Sequence, residues 1–167
     1  MEVDARLVRA LSRPSFLEGF HVGHTELDRD LADALAKQTQ LIILGLVFTR
    51  LGNDPASHLV AALQEMSRLE EVQLWCDEAA EGDLKRVLTA VGELPHLETL
   101  GVGGLAMRDN IRAVAEAVVE RERLRELIVE GQICDGRAAH LAAMLERNRS
   151  LSILHLSWCA LRDAGME

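Results

Sequence analysis

Histidine, cysteine and serine side chains are the candidates for metal binding or covalent chemistry in this chain. His21 and His24 form a His-x-x-His pair, but the cysteine or carboxylate cluster that would complete a zinc site does not accompany it. Cys76 or Ser157 could act as a nucleophile with His155 as the base, but no third group that would orient the base is apparent. We therefore predict no metal site, no cofactor and no enzymatic activity.

Aromatic and acidic side chains favour a different chemistry, the binding of another protein. The chain has only two tryptophans, Trp75 and Trp158, and tryptophan is enriched where binding energy concentrates in protein interfaces. The 27 acidic residues outnumber the 18 basic ones, for a formal net charge of −9. This charge disfavours nucleic acid and anionic membranes as partners, and it favours a basic protein.

The elements that must position these residues follow from a repeated Leu-x-x-Leu-x-Leu spacing, which is typical of a strand. Five copies begin at Leu41, Leu69, Leu97, Leu124 and Leu151, and a looser copy begins at Leu17. The steps between copies are therefore 24, 28, 28, 27 and 27 residues. Because residues two apart point to the same face of a strand, the last two apolar positions of each copy should be buried together.

A second periodic pattern predicts a helix before each strand. Aliphatic residues recur ten and six residues before every copy, a spacing of four that places them on one helix face. They are Leu7 and Leu11, Leu31 and Leu35, Leu59 and Leu63, Val87 and Val91, Val114 and Val118, and Leu141 and Leu145. One such unit cannot bury both faces, so we expect successive units to stack around a continuous aliphatic core.

The spacing resembles the leucine-rich repeat family, and its 27–28-residue period with one helix per unit resembles the ribonuclease-inhibitor-like class. The last copy matches that class best, with Asn148, Cys159 and Gly165 around its leucines. The resemblance implies a right-handed α/β horseshoe segment of about six repeats, with a parallel sheet on the concave face and helices on the convex face. Leu105 holds the position of the family's Asn or Cys ladder residue and cannot satisfy backbone groups there, so we expect that turn to deviate.

The repeat also predicts which side chains lie on the concave face. The third, fifth and seventh positions of each copy alternate with the core positions, and we expect the eighth position to lie on the same surface. The candidate partner-binding residues are Trp75, Trp158, Phe48, Glu71, Gln73, Glu126, Glu130 and His155. The glycines Gly101, Gly103 and Gly104 should leave a shallow trough among them. An alternative interpretation is that the tryptophans pack against neighbouring turns and complete the edge of the core.

Length and composition favour one domain, residues 1–167, cut within a repeat at both ends. The three cysteines do not suggest a disulfide framework, the segment from Met1 to Ser15 lacks the apolar core of a signal peptide, and no apolar run reaches the roughly 20 residues of a membrane span. We therefore predict a cytoplasmic protein.

The predicted function is a protein–protein interaction module that binds its partner on the concave face. One alternative is a structural spacer or an array that self-associates through exposed repeat ends. A less favoured alternative is regulation of a small GTPase, since some arrays of the ribonuclease-inhibitor-like class stimulate these enzymes through a turn residue. Arg50 and Arg108 occupy turn positions here.

Overall fold

The computed structural model describes residues 5–79, 82–131, 133 and 135–157, in which helices and strands alternate. A 3-10 helix, Leu105–Asp109, precedes the fifth α-helix. None of the described helices combines the length and the apolar character needed to cross a membrane. The helices are α1 (Ala5–Leu11), α2 (Arg29–Leu35), α3 (Asn53–Glu65), α4 (Asp83–Gly92), α5 (Ile111–Val118) and α6 (Asp135–Arg147); the strands are β1 (Gly19–Glu26), β2 (Ile43–Leu51), β3 (Glu71–Ala79), β4 (Thr99–Gly103), β5 (Glu126–Glu130) and β6 (Ile153–Ser157).

The six described strands form one parallel sheet in chain order, from β1 to β6. From β2 onward the paired residues of neighbouring strands are 28 or 27 positions apart, so that Val72 lies between Leu44 and Leu100. Strand β1 pairs with β2 at an offset of 24, and its register shifts after Val22. The prediction of an α/β fold with a parallel sheet is confirmed.

The core lies between one face of the sheet and the helices. Strand positions at the end of each Leu-x-x-Leu-x-Leu copy are 0–1% exposed from β2 to β5, and the paired helix positions of α2 to α5 are fully buried. All of these side chains belong to one continuous cluster. The two hydrophobic periods, two in the strands and about 3.6 in the helices, therefore meet in the same aliphatic layer.

Two buried amide side chains connect successive helix–strand units. The Gln38 side-chain nitrogen donates to the carbonyl oxygens of Leu11 and Arg13, at 2.5 and 2.8 Å. Asn148 occupies the equivalent place three residues before a first leucine, and its nitrogen donates to the Val118 carbonyl oxygen at 2.9 Å. Because buried polar groups need partners, these contacts satisfy both the side chains and the carbonyls at helix ends. The role of Gln38 was not predicted.

The turn after β4 differs from those after β2 and β3, as expected from Leu105. Strands β2 and β3 each have nine residues, whereas β4 ends after five and the 3-10 helix follows. Gly104, at φ +92°, places this turn directly against the backbone of Cys76. The Leu105 side chain is 69% exposed, and its backbone N–H points to a carboxylate oxygen of Asp77 at 3.4 Å.

Candidate functional site

The candidate site is the face of the sheet opposite the helices, which we call the open face. Its residues alternate with the core positions, and in β5 the outward residues are half-buried while their neighbours are fully buried. The open face comprises Gly19, His21 and Gly23 of β1; Ile43, Gly45 and Val47 of β2; Glu71, Gln73 and Trp75 of β3; Thr99, Gly101 and Gly103 of β4; Glu126, Ile128 and Glu130 of β5; and Ile153, His155 and Ser157 of β6.

Trp75 is half-buried at the centre of the open face. Its indole lies over β4, so that a methyl group on Gly101 would be 3.0 Å from the ring, and one on Gly103 would be 2.6 Å from the ring atom Cδ1 and closer still to Nε1. The indole N–H donates to a Glu130 carboxylate oxygen on β5, at 3.1 Å. The expectation of a shallow trough is wrong at Gly101 and Gly103, because the Trp75 ring fills the space that these glycines leave.

His21 repeats this arrangement two strands away. Its imidazole lies over Gly45 of the neighbouring strand, where a methyl group would be 2.8 Å from a ring carbon. His24 is exposed and has a left-handed backbone with φ +54°, beside the register shift in β1. Among the residues that the structure describes, no group of three His, Cys, Asp or Glu side chains is arranged to hold a metal ion.

The three glutamates of the open face have hydrogen-bonding partners that do not carry a fixed positive charge. Glu71 accepts from the Gln73 amide at 2.6 Å, Glu130 accepts from Trp75, and Glu126 lies 3.3 Å from the His155 imidazole. No lysine or arginine occupies the open face as defined above. The face therefore keeps a negative charge that a basic partner could neutralise.

Phe48 does not lie on the open face, and its predicted placement there is wrong. The side chain is 2% exposed and belongs to the core. The reason is that β2 continues to Leu51, so the alternation set by Leu44 and Leu46 extends to residue 48. The same parity buries Cys76 in β3.

The structure brings three pairs of the predicted site residues together: Trp75 with Glu130, Gln73 with Glu71, and His155 with Glu126. Trp158 lies outside the described residues. The sequence interpretation did not include His21 or Val47 as site residues. Small residues at outward positions of β2 and β4, next to a ring on the preceding strand, were the signal for the three covered glycines, Gly45, Gly101 and Gly103.

Cys76 is buried, and burial raises the pKa of its thiol to about 11 from an ordinary value of 9.0. We expect slow alkylation by iodoacetamide at pH 8 in a Cys134→Ser, Cys159→Ser variant, with a rate that rises only as the pH approaches 11. In urea the rate should rise near pH 9. The folded state holds the proton more tightly, so this thiol should reduce stability as the pH rises from 9 to 11. Equal native and unfolded rates would contradict the burial.

Arg50 and Arg108, the candidates for a contact with a GTPase, are both exposed. Arg50 lies near the end of β2, and Arg108 lies in the 3-10 helix after β4. Neither belongs to the open face.

No protein-family model matches this chain, and no curated protein matches it significantly. The function must therefore be inferred from the geometry and charge of the open face.

Proposed function

We propose that this chain is a leucine-rich repeat array of the ribonuclease-inhibitor-like class that binds a basic partner protein on its open face. The repeat assignment is supported by the 27–28-residue register from β2 to β6 and by the burial of equivalent positions in successive units. Packed helices lie about 10 Å apart and paired strands about 4.8 Å apart, so such an array bends with its strands inside. On this account the open face is concave.

The observation that carries the proposal is the charge and surface chemistry of the open face. Glu71, Glu126 and Glu130 lie around the half-buried Trp75, and the face as defined has no lysine or arginine. Such a surface combines an aromatic anchor with acidic groups that attract basic residues. The proposed activity is binding rather than catalysis, in a cytoplasmic setting and without a cofactor.

A pull-down from a cell lysate, with a charge-matched control variant, tests this proposal. The first variant replaces the open-face glutamates Glu71, Glu126 and Glu130 by glutamine. The control makes the same change at three exposed glutamates on the helices, Glu65, Glu116 and Glu146. We expect a basic protein to be captured by the native chain and the control, and to be lost by the open-face variant. Circular dichroism checks that all three are folded.

Equal capture by both glutamine variants would contradict an open-face site. Capture lost only in the helix variant would place the partner on the helices. Because charge attraction is screened by salt, we also expect capture by the native chain to weaken as the ionic strength rises from about 0.05 to 0.5 M.

Self-association through the ends of the array is the second candidate, and the distribution of exposed apolar side chains favours it. Leu7, at 43% exposure, and Leu145, at 41%, occupy helix positions that are buried in α2 to α5. In the part of the chain that the structure describes, the other large exposed apolar residues, apart from Leu105, lie near the same two ends: Phe16, Leu17, Ile153 and Leu156. Exposed apolar clusters favour association.

Analytical ultracentrifugation tests this candidate. We expect the native chain to sediment as an oligomer at micromolar concentration, and an Ile153→Ser, Leu156→Ser variant to sediment as a monomer. A native chain that is monomeric throughout the accessible concentration range would contradict self-association.

A further inference from the structure

A depression lies on the open face beside Trp75. It spans β1 to β3, has a volume of about 180 Å³, and exposes mainly carbon atoms to the solvent. Gly45 and the half-buried Val47 lie on its middle strand, and Trp75 bounds it on the side of β4. Its principal lining residues are His21, Gly23, Gly45, Val47, Gln73 and Trp75. An apolar side chain is the group that gains most from leaving water for such a surface.

The depression and the open-face carboxylate in the same row of the sheet lie on different strands. Val47 of β2 pairs with Trp75, Trp75 pairs with Gly103, and Glu130 of β5 lies beside Gly103, three strand steps from Val47. Neighbouring strands are about 4.8 Å apart, so the two sites are separated by roughly 14 Å. The Trp75 side chain spans the space between the two sites. It belongs to β3, its indole lies over β4, and the indole N–H donates a hydrogen bond to Glu130 of β5. Along this row the open face is therefore apolar on the β2 side of Trp75 and acidic on the β5 side, whereas Glu71 lies in another row, four residues from Trp75.

We propose that the open face binds an extended polypeptide segment that crosses the strands, with an apolar side chain in the depression and a lysine or arginine beside Glu130. The two anchors are four residues apart in that segment. An extended chain advances about 3.4 Å per residue, so four residues span roughly 14 Å, and residues four apart point to the same side. This inference rests on the proposed function and specifies the chemistry of the partner.

Two glycines on β1 provide a matched pair of blocking variants. A methyl group on Gly23 would meet no atom within 4 Å, and Gly23 lines the depression. Gly23→Leu should therefore fill the depression without disturbing its walls. Gly19 is on the same strand and the same face, its nearest neighbour to an added methyl is Ile43 at 3.9 Å, and it does not line the depression. Gly19→Leu is the control.

The experiment selects phage-displayed random linear dodecapeptides on the full 167-residue chain. We expect the enriched peptides to share an apolar residue and a lysine or arginine four positions apart. A fluorescent synthetic peptide with the selected sequence should bind the Gly23→Leu variant at least tenfold more weakly than the native chain, by fluorescence anisotropy. Gly19→Leu should change its Kd by less than twofold. A Glu130→Gln variant should also weaken binding at least tenfold.

Selected peptides with another spacing, or with unchanged affinity for Gly23→Leu, would overturn the inference. A selection without enrichment would overturn it too. These outcomes are distinguishable from failure of the proposed function, because a folded protein that is captured by the native chain and lost by the open-face glutamine variant would still establish the site. If neither the capture that depends on the open-face glutamates nor the enrichment of the predicted peptides is observed, the open-face site and the inference are both rejected.

Discussion

Replacement of Leu74 by alanine is expected to lower the free energy of unfolding by about 2–5 kcal/mol, the cost of removing a buried leucine side chain from a packed core. Leu74 is 1% exposed in β3 and lies between Leu46 of β2 and Val102 of β4, both of them fully buried. The cavity would therefore open in the layer that joins three successive units. Equilibrium denaturation in urea, followed by circular dichroism, measures the change.

Leu105→Ala is the matched control, because the same side chain is removed from a position that is 69% exposed. We expect its effect to stay within about 0.5 kcal/mol, as for most surface substitutions. Similar losses in the two variants would show that the strand leucines do not form the core described above.

Gly104→Ala should have the second largest effect, a loss of at least about 2 kcal/mol of stability. Gly104 has φ +92°, a conformation that residues with a side chain rarely adopt, and an added methyl would be 2.6 Å from the Cys76 carbonyl carbon. Both the conformation and the contact with another backbone segment oppose the substitution. The same urea titration measures it.

Gly136→Ala provides the comparison for this glycine. Gly136 lies in helix α6, and an added methyl would meet no atom within 4 Å. Alanine should leave the stability unchanged or raise it by up to about 1 kcal/mol, because alanine is the better helix former. A Gly104→Ala variant as stable as Gly136→Ala would mean that the turn after β4 does not lie against β3.

The strands and helices could be predicted from the sequence because their apolar spacing is local and repeated. The alternation through Leu44 and Leu46 predicts which face of the strand is buried, even when the neighbouring strands are not known. The error at Phe48 arose from the length of β2, since the burial of residue 48 depends on how far the strand continues. Strand ends are set by the turns and by neighbouring units, which the local pattern does not include.

The candidate site could be predicted only in part, because its contacts connect residues far apart in the chain. The position of Trp75 on the open face follows from the strand period, but the course of its indole across Gly103 to Glu130 depends on which strands are neighbours. Gln38 likewise has its hydrogen-bonding partners in the preceding unit. Glutamine is usually exposed, and nothing in the neighbouring sequence indicates that this side chain is fully buried.

Site-specific photo-crosslinking tests the central claim, that the partner binds the open face, most directly. The photoreactive amino acid p-benzoylphenylalanine is placed either at Thr99, which is half-buried on the open face in β4, or at Thr89, which is exposed in helix α4. After capture of the partner and irradiation, we predict a covalent adduct from position 99 and none from position 89. An adduct from position 89 alone would contradict the account and place the partner on the helices.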